Sequence, residues 1–266
     1  MTQYFNTLYV TQPGSYVAKD HETVLVKQDG SVLLQVPMHH LASIVCLGST
    51  ISVSPDLMNA CNLAKISISF ISEYGRFQGR IEGIKGGNVF LRREQYRKAD
   101  RDEVCAEYSK RFVQGKLANY RTMLLRFARE SSNQAFAKGF EDAAQRIYNS
   151  LKQLKEVKDT NLIRGLEGEA SAVYFSVFGL TLKNNDFTFE GRERRPPRDP
   201  VNALLSFLYT VLSHDCSSAL AAIGLDPQVG FLHVDRPGRP SLACDLMEEF
   251  RPIFVDRLVI KLINLK

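Results

Sequence analysis

From Thr7 to about Phe77 the apolar residues come in short β-branched or aromatic runs, TLYVTQPG, SYVAKD, TVLVKQDGSVLLQVP, SIVCLG and ISISFIS, separated by turn residues. Runs of this length bounded by Gly, Pro, Asp and Ser predict β-strands. Asp29-Gly30, between Val24-Leu25-Val26 and Val32-Leu33-Leu34, predicts a hairpin, because both residues tolerate the positive φ of a type I′ turn. SPDLMNACNLAK interrupts the strands with Ser54 as an N-cap, Pro55 at the first helical position and Leu57, Met58, Cys61 and Leu63 as apolar positions, so one inserted helix is expected. Gly75, Gly79, Gly83, Gly86 and Gly87 then thin the pattern, and a linker is placed at 85–94.

Beyond it the period lengthens. Tyr96, Val104, Tyr108, Phe112, Leu117, Tyr120, Leu124 and Phe127 recur at three- and four-residue steps with charged side chains between them, which predicts one long helix or two. Helical patterning continues through 136–158, 161–182, 200–222 and 242–265, without an internal repeat. The interruption NNDFTFEGRERRPPRDP, rich in proline and mixed charge, predicts an exposed loop. The expected fold class is α+β: a small N-terminal β domain with one inserted helix (1–84), the linker, and a larger all-α domain (95–266).

Composition narrows this picture only a little. With 266 residues, 44% hydrophobic and 24% charged, the chain reads as an ordinary globular protein. Its net charge of +5 is too small to imply nucleic acid by itself. No charged-then-apolar leader opens MTQYFNTLYVTQPG and no run of about 18 apolar residues occurs, so a cytoplasmic location and no membrane partner are expected. The five cysteines, odd in number and without a CxxC, read as reduced core residues.

Chemistry enters through acids in apolar surroundings. In NLIRGLEGEASAVYFSVFGL, Ile163, Leu166, Ala170, Tyr174 and Val177 form one stripe that contains Glu167, whereas Glu169 faces the other side beside Gly165, Ala172 and Ser176. Glu167 therefore requires an ion pair with a basic side chain of another helix, a half-exposed place at the edge of the stripe, or a functional role. In GFLHVDRPGRPSLACDLMEEFRP, His233 precedes a turn, and Asp245 pairs on a helical face with Glu248 or equally with Glu249. Spacing does not choose between the two. A stripe Glu, a His and a helical acid pair make a mixed oxygen and nitrogen donor set suited to Mg²⁺ or Mn²⁺.

Three blocks in fixed order, LIRGLEGEASAVYF, PPRDPVNALLSFLYTVL and GFLHVDRPGRPSLACDLMEEFRPIFVDRLV, make the chain resemble the CRISPR-associated adaptation integrase family (Cas-one). The N-terminal NTLYVTQPGSYVAKDHETVLVK followed by VPMHHLASIVCLG resembles that family's β domain, particularly its type I-C branch. The resemblance implies a metal-dependent DNA endonuclease and integrase that inserts captured DNA fragments into a CRISPR array by 3′-hydroxyl attack on a repeat phosphodiester. It implies Glu167, His233 and Glu248 as ligands of Mn²⁺ or Mg²⁺, Asp245 as a further acid of the motif, and Asn202 and Tyr209 on the helix lining the same site. Partners implied are double-stranded and branched DNA, a second copy of the chain paired through the β domain, and a small companion adaptation protein (Cas-two). Arg192, Arg194, Arg195 and Arg198, in the loop before the site helix, are expected to touch DNA. The chain ends at VDRLVIKLINLK where family members usually continue with further helical sequence, so C-terminal truncation is an open expectation. The rival readings are a plain metal-dependent nuclease of repair or recombination and a non-catalytic, helical DNA-binding scaffold whose acids pair with its arginines. Ligand acids would tolerate removal without loss of the fold.

Overall fold

The computed structural model describes residues 6–75, 77–81, 89–194 and 196–265. The chain divides into two compact units, Met1–Gly87 and Asn88–Lys266.

The first unit carries two four-stranded sheets. Its strands are β1 (Asn6–Val10), β2 (Tyr16–Asp20), β3 (Thr23–Gln28), β4 (Ser31–Pro37), β5 (Leu41–Leu47), β6 (Ser52–Val53), β7 (Ser67–Ile71) and β8 (Phe77–Ile81). One sheet runs β1-β5-β7-β8 and the other β4-β3-β2-β6. The β3–β4 hairpin turns at Asp29 and Gly30, whose φ values of 49° and 81° supply the positive dihedrals expected there. Pairings β1–β5, β5–β7 and β2–β6 are parallel, and parallel neighbours require crossovers rather than tight turns. Helix α1 (Pro55–Leu63) lies in the crossover between β5 and β7, with the Ser54 hydroxyl accepting from Leu57 N–H at 3.2 Å. Val17 and Val24 from one sheet, Ile44, Cys46 and Ile68 from the other, and Leu57 and Cys61 from α1 close a single core. Burial pushes the Cys46 thiol up to about 12, so it packs as an inert small hydrophobe.

The linker placed at 85–94 is corrected by the structure: helix α2 (Val89–Ala99) begins inside it. The glycine run was extended past its last glycine, into VFLRREQYRKA, which contains no helix breaker. Gly83, Gly86 and Gly87 lie outside the described residues. Within the second unit α2 is anchored by Gln95, whose buried amide donates to Asp226 O (2.8 Å) and Val229 O (2.9 Å) and accepts from Asp226 N–H.

The second unit is helical: α3 (Asp102–Glu130), α4 (Gln134–Glu156), α5 (Thr160–Phe178), α6 (Pro200–Ala222), α7 (Ser241–Phe250) and α8 (Arg257–Asn264). The path from α7 to α8 runs through a π-helical turn, Arg251–Asp256, with Pro252 in its first turn. The long α3 packs against α4, α5 and α7. Val113, Leu117, Tyr120 and Leu124 from α3 meet Ile147 of α4, Ile163, Ala170 and Tyr174 of α5, Leu205 of α6 and Val259 of α8. Tyr120 and Tyr174 stack with centroids 3.8 Å apart. Residues 182–194 and 196–199 are non-helical, as the prolines and charges of that stretch predict.

Helices α5 and α6 each start on an acid cap. Asp159 Oδ1 accepts from Asn161 N–H (2.8 Å) and Leu162 N–H (2.9 Å) at the start of α5, and Asp199 Oδ1 accepts from Asn202 N–H (2.8 Å) at the start of α6. Replacing Asp159 by Ala removes an acceptor for two otherwise unsatisfied donors, so the variant should lose about 1 kcal/mol in a urea titration. An unchanged midpoint would show that α5 is held by packing alone.

Candidate functional site

The stripe on α5 buries Ile163, Ala170 and Tyr174 and leaves Glu169 on the exposed side, with Gly165, Ala172 and Ser176. Glu167 stays with the stripe and meets a cation. Lys116 of α3, only 1% exposed, donates to Glu167 Oε1, which also accepts from the Ser171 hydroxyl at 2.8 Å. The same ammonium lies 2.6 Å from Glu248 Oε2 of α7, an ion pair without hydrogen-bond alignment. The basic partner from another helix considered for Glu167 is therefore present. Gly115 makes this convergence of α3 and α7 feasible, because a Cβ there would stand 2.8 Å from Glu249 Oε2 and 3.0 Å from Glu249 Cβ.

Glu248 and Asp245 are both buried, whereas Glu249 is half-buried, so the two acids that spacing left equivalent differ in burial. Burial by itself would raise the Glu248 carboxyl, but Arg251 and then Lys116 overcome it and hold the group down at about 2. Arg251 NH1 lies 3.2 Å from Glu248 Oε1. The Lys116 ammonium is raised above its usual range against the opposing effect of burial, by Glu248 first among the groups around it. Both partners are thus ionised at neutral pH.

Asp245 has a different task. Its Oδ2 accepts from Phe231 N–H (2.6 Å) and Leu232 N–H (2.9 Å), and its Oδ1 accepts from His233 N–H (2.9 Å) and from His233 Nδ1 (2.7 Å). Asp245 shares its helical face with Glu248, yet its two oxygens are spent on the backbone and ring of 231–233. Because Oδ1 acts as an acceptor there, Nδ1 carries a proton, and in the neutral ring the lone pair is on Nε2. That Nε2 lies 3.9 Å from Glu248 Oε1. Gly230 permits the approach: a Cβ at that position would sit 2.8 Å from Ser241 C and 2.9 Å from Asp245 Oδ2. A cleft of about 370 Å³ opens beside His233, lined also by Lys158, Asp159 and Arg164 at the start of α5.

Tyr209 reaches this cluster through Arg251, whose guanidinium lies 4.9 Å from the centre of its ring. Its hydroxyl donates to Asp256 Oδ1. Asp256 is wholly buried, and that burial raises its carboxyl to about 6, against the lowering effect of the Tyr209 hydrogen bond. Asn202 is one step further out. Its Nδ2 donates to Gly191 O (2.8 Å) and Asp199 Oδ2 (2.6 Å), and its Oδ1 accepts from Arg192 NH1 (2.7 Å) and Glu193 N–H (3.0 Å), so the amide ties the loop to the head of α6. Arg192, expected at a DNA surface, points inward instead: it donates to Asn202 and to Ser206 Oγ (3.0 Å) and covers the Tyr209 ring. The satisfied amide and the aromatic face outcompete water for its guanidinium. Arg194 and Arg198 are exposed, Arg198 within 3.6 Å of Glu193. Arg195 lies outside the described residues.

Lys116, Arg251 and Asp256 belong to the site without having been singled out from the sequence. Lys116 carried a readable signal, since it lies three residues after Val113 and four before Tyr120, on the buried stripe itself.

The donor chemistry fits a hard divalent ion. Two carboxylates face one buried positive charge, and an imidazole nitrogen lies 3.9 Å from one of them, oxygen and nitrogen donors of the kind such an ion takes. Among the described residues, however, no three His, Cys, Asp or Glu side chains are gathered at metal-ligand spacing.

The family model described as CRISPR associated protein Cas1 matches residues 8–266. A CRISPR-associated endonuclease Cas1 2 of Rhodospirillum rubrum is 48% identical over 270 residues, covering 99% of this chain and 77% of that protein. Among solved structures, a Cas1 protein of Thermotoga maritima superposes with a TM-score of 0.81 at 22% identity, over 98% of this chain and 80% of that one. A Cas6-RT-Cas1–Cas2 complex matches with a TM-score of 0.81 at 24% identity, over 100% of this chain and 28% of that one. Matched along nearly its whole length by the family model and by a relative of this identity, the chain belongs to the Cas1 family of CRISPR-associated proteins.

Proposed function

We propose that this protein is a divalent-metal-dependent DNA endonuclease and integrase of CRISPR adaptation, and that Glu167, His233 and Glu248 hold its Mn²⁺ or Mg²⁺. The observation that supports the site assignment is that Glu167 of α5 and Glu248 of α7 share the buried Lys116 ammonium, with His233 Nε2 3.9 Å from Glu248 Oε1. When bound, the ion polarises the scissile phosphate and stabilises negative charge on the leaving 3′ oxygen. In integration the incoming 3′ hydroxyl gives up its proton to solvent as its oxygen bonds to phosphorus, the repeat's own P–O3′ bond breaks, and the departing 3′ oxygen takes up a proton in return. No protein nucleophile is needed.

The chain's own groups prepare this chemistry. Asp245 holds the proton on His233 Nδ1 and presents Nε2 as a ligand atom, a positioning role that explains its place in the motif. Arg251 keeps Glu248 ionised and rests on Tyr209, so the tyrosine supports the acid indirectly. Asn202 shapes the loop beside the site. In type I-C-like fashion, the proposed branch rests on the N-terminal block NTLYVTQPGSYVAKDHETVLVK. The substrate is double-stranded and branched DNA in the prokaryotic cytoplasm, and the companion is Cas2, as named in the matched Cas6-RT-Cas1–Cas2 complex. No helix among the described residues is long and apolar enough to cross a membrane.

The protein is proposed to pair with itself through its β unit. Strand β4 is an edge strand, and Val32, Leu33 and Leu34 are exposed in sequence along it, an edge that a partner would be expected to cover. Light scattering at micromolar concentration should give the mass of a dimer, and a strictly monomeric mass removes this assignment.

Strand transfer into a supercoiled plasmid carrying a repeat, with and without Mn²⁺, tests the main reading. Glu167→Ala, His233→Ala and Glu248→Ala should lose Mn²⁺-dependent product, while Glu169→Ala and Glu249→Ala keep it. The expectation that ligand variants leave the fold untouched is revised for Glu248. Its removal strands the buried Lys116 and Arg251 with one carboxylate fewer, a change that costs about 3–5 kcal/mol when a buried pair is broken. Melting is therefore measured alongside. Activity lost only where melting collapses below the assay temperature would favour the purely structural reading of these acids, which the Lys116 ion pairs specifically support.

Exposed Arg194 and Arg198 remain proposed phosphate contacts. Replacing both with Ala should reduce the slope of log affinity against log salt by about 0.9 per lost duplex contact. An unchanged slope takes the loop out of the footprint.

A further inference from the structure

Lys116 is the residue that the metal reading leaves without a task. It cannot serve as an ordinary DNA contact, because at 1% exposure no phosphate reaches its ammonium. It also stands where positive charge is worth most, between Glu167 Oε1 and Glu248 Oε2, with Arg251 NH1 on the other oxygen of Glu248 at 3.2 Å. Two carboxylates therefore already face two cations. A divalent ion entering this cluster brings two surplus charges into a buried, charge-balanced site, and Coulomb repulsion at such separations is poorly screened.

We propose that Lys116 is a built-in counter-cation of the Glu167–Glu248 pair, which keeps the two acids together when no ion is present and lowers the affinity of the protein alone for divalent metal. A DNA phosphate arriving at the site supplies the missing negative charge, so metal and DNA bind with positive coupling. The inference rests on the assignment of Glu167, His233 and Glu248 as ligands. It assigns Lys116 a positioning role through the two acids, distinct from catalysis.

The test is Mn²⁺ binding, read from the electron paramagnetic resonance of the free ion, for the full chain with and without a branched duplex. Lys116→Gln keeps hydrogen-bonding capacity but removes the charge, and should bind Mn²⁺ about tenfold tighter than the wild type without DNA. Lys116→Arg keeps the charge, and should stay within about threefold of the wild type. The gain in Mn²⁺ affinity on adding DNA should shrink in Lys116→Gln. Equal or weaker Mn²⁺ binding by Lys116→Gln overturns the proposal, and so does a Lys116→Arg variant that behaves like Lys116→Gln.

His233→Ala separates this failure from failure of the metal assignment. If His233→Ala weakens Mn²⁺ binding but Lys116→Gln does not strengthen it, the counter-cation role alone is wrong. If His233→Ala binds as the wild type does, with DNA and without, the ligand assignment fails and takes this inference with it. Should Lys116→Gln fail to fold in metal-free buffer, its melting is followed across a Mn²⁺ series. Rescue at concentrations that leave the wild type unmoved supports the proposal, and absence of rescue overturns it.

Discussion

The helical unit depends on one buried ammonium. Lys116 reaches from α3 to a carboxylate on α5 and another on α7, so three helices converge on a single charge. Burying that charge is costly, and the cost is recovered only if both acids stay in place and Arg251 balances the second of them. An apolar contact would have tolerated sliding of the helices. An ion pair shared three ways restrains their relative positions, and the carboxylate geometry of the site follows from that restraint.

A second restraint is built from backbone. The chain at 231–233 turns its consecutive N–H groups toward Asp245, whose burial is tolerated because four hydrogen bonds replace its water. The imidazole is held by the same acid that holds the backbone behind it, so ring orientation and loop conformation are set together. His233 remains partly open to the cleft while its support is inside. Precision and access are thus divided between two ends of one side chain.

Much of this was legible from residue pattern. The hairpin at Asp29-Gly30, the inserted helix capped by Ser54, the separation of Glu167 from Glu169 and the loop that precedes α6 all followed from period, cap and breaker residues, which act locally. The second strand pairing of the β unit did not, because parallel neighbours such as β1 and β5 lie far apart in sequence and leave no turn signature. Helix α2 was hidden by glycines that precede it. Lys116 was missed for a related reason: a lysine every few residues on a surface helix is ordinary, and only the stripe position, together with two acids from other helices, marks this one as buried. Arg192 shows the converse error, since a loop rich in arginine reads as solvated until Asn202 and Tyr209 are placed beneath it.

The π-helical turn at Arg251–Asp256 gives the polypeptide a place where one residue of length is taken up without a change of facing. Eight residues of uninterrupted α-helix would place Asp256 about 80° around the axis from Glu248. A π turn holds more residues than an α turn, so an extra residue is stored within the helix itself. Glu248 and Asp256 are both buried across it, while Val259, Ile260 and Ile263 beyond it still meet the core. A residue lost from this turn is absorbed by tightening π to α; one lost inside α8 has no such reserve and rotates every side chain after it by about 100°.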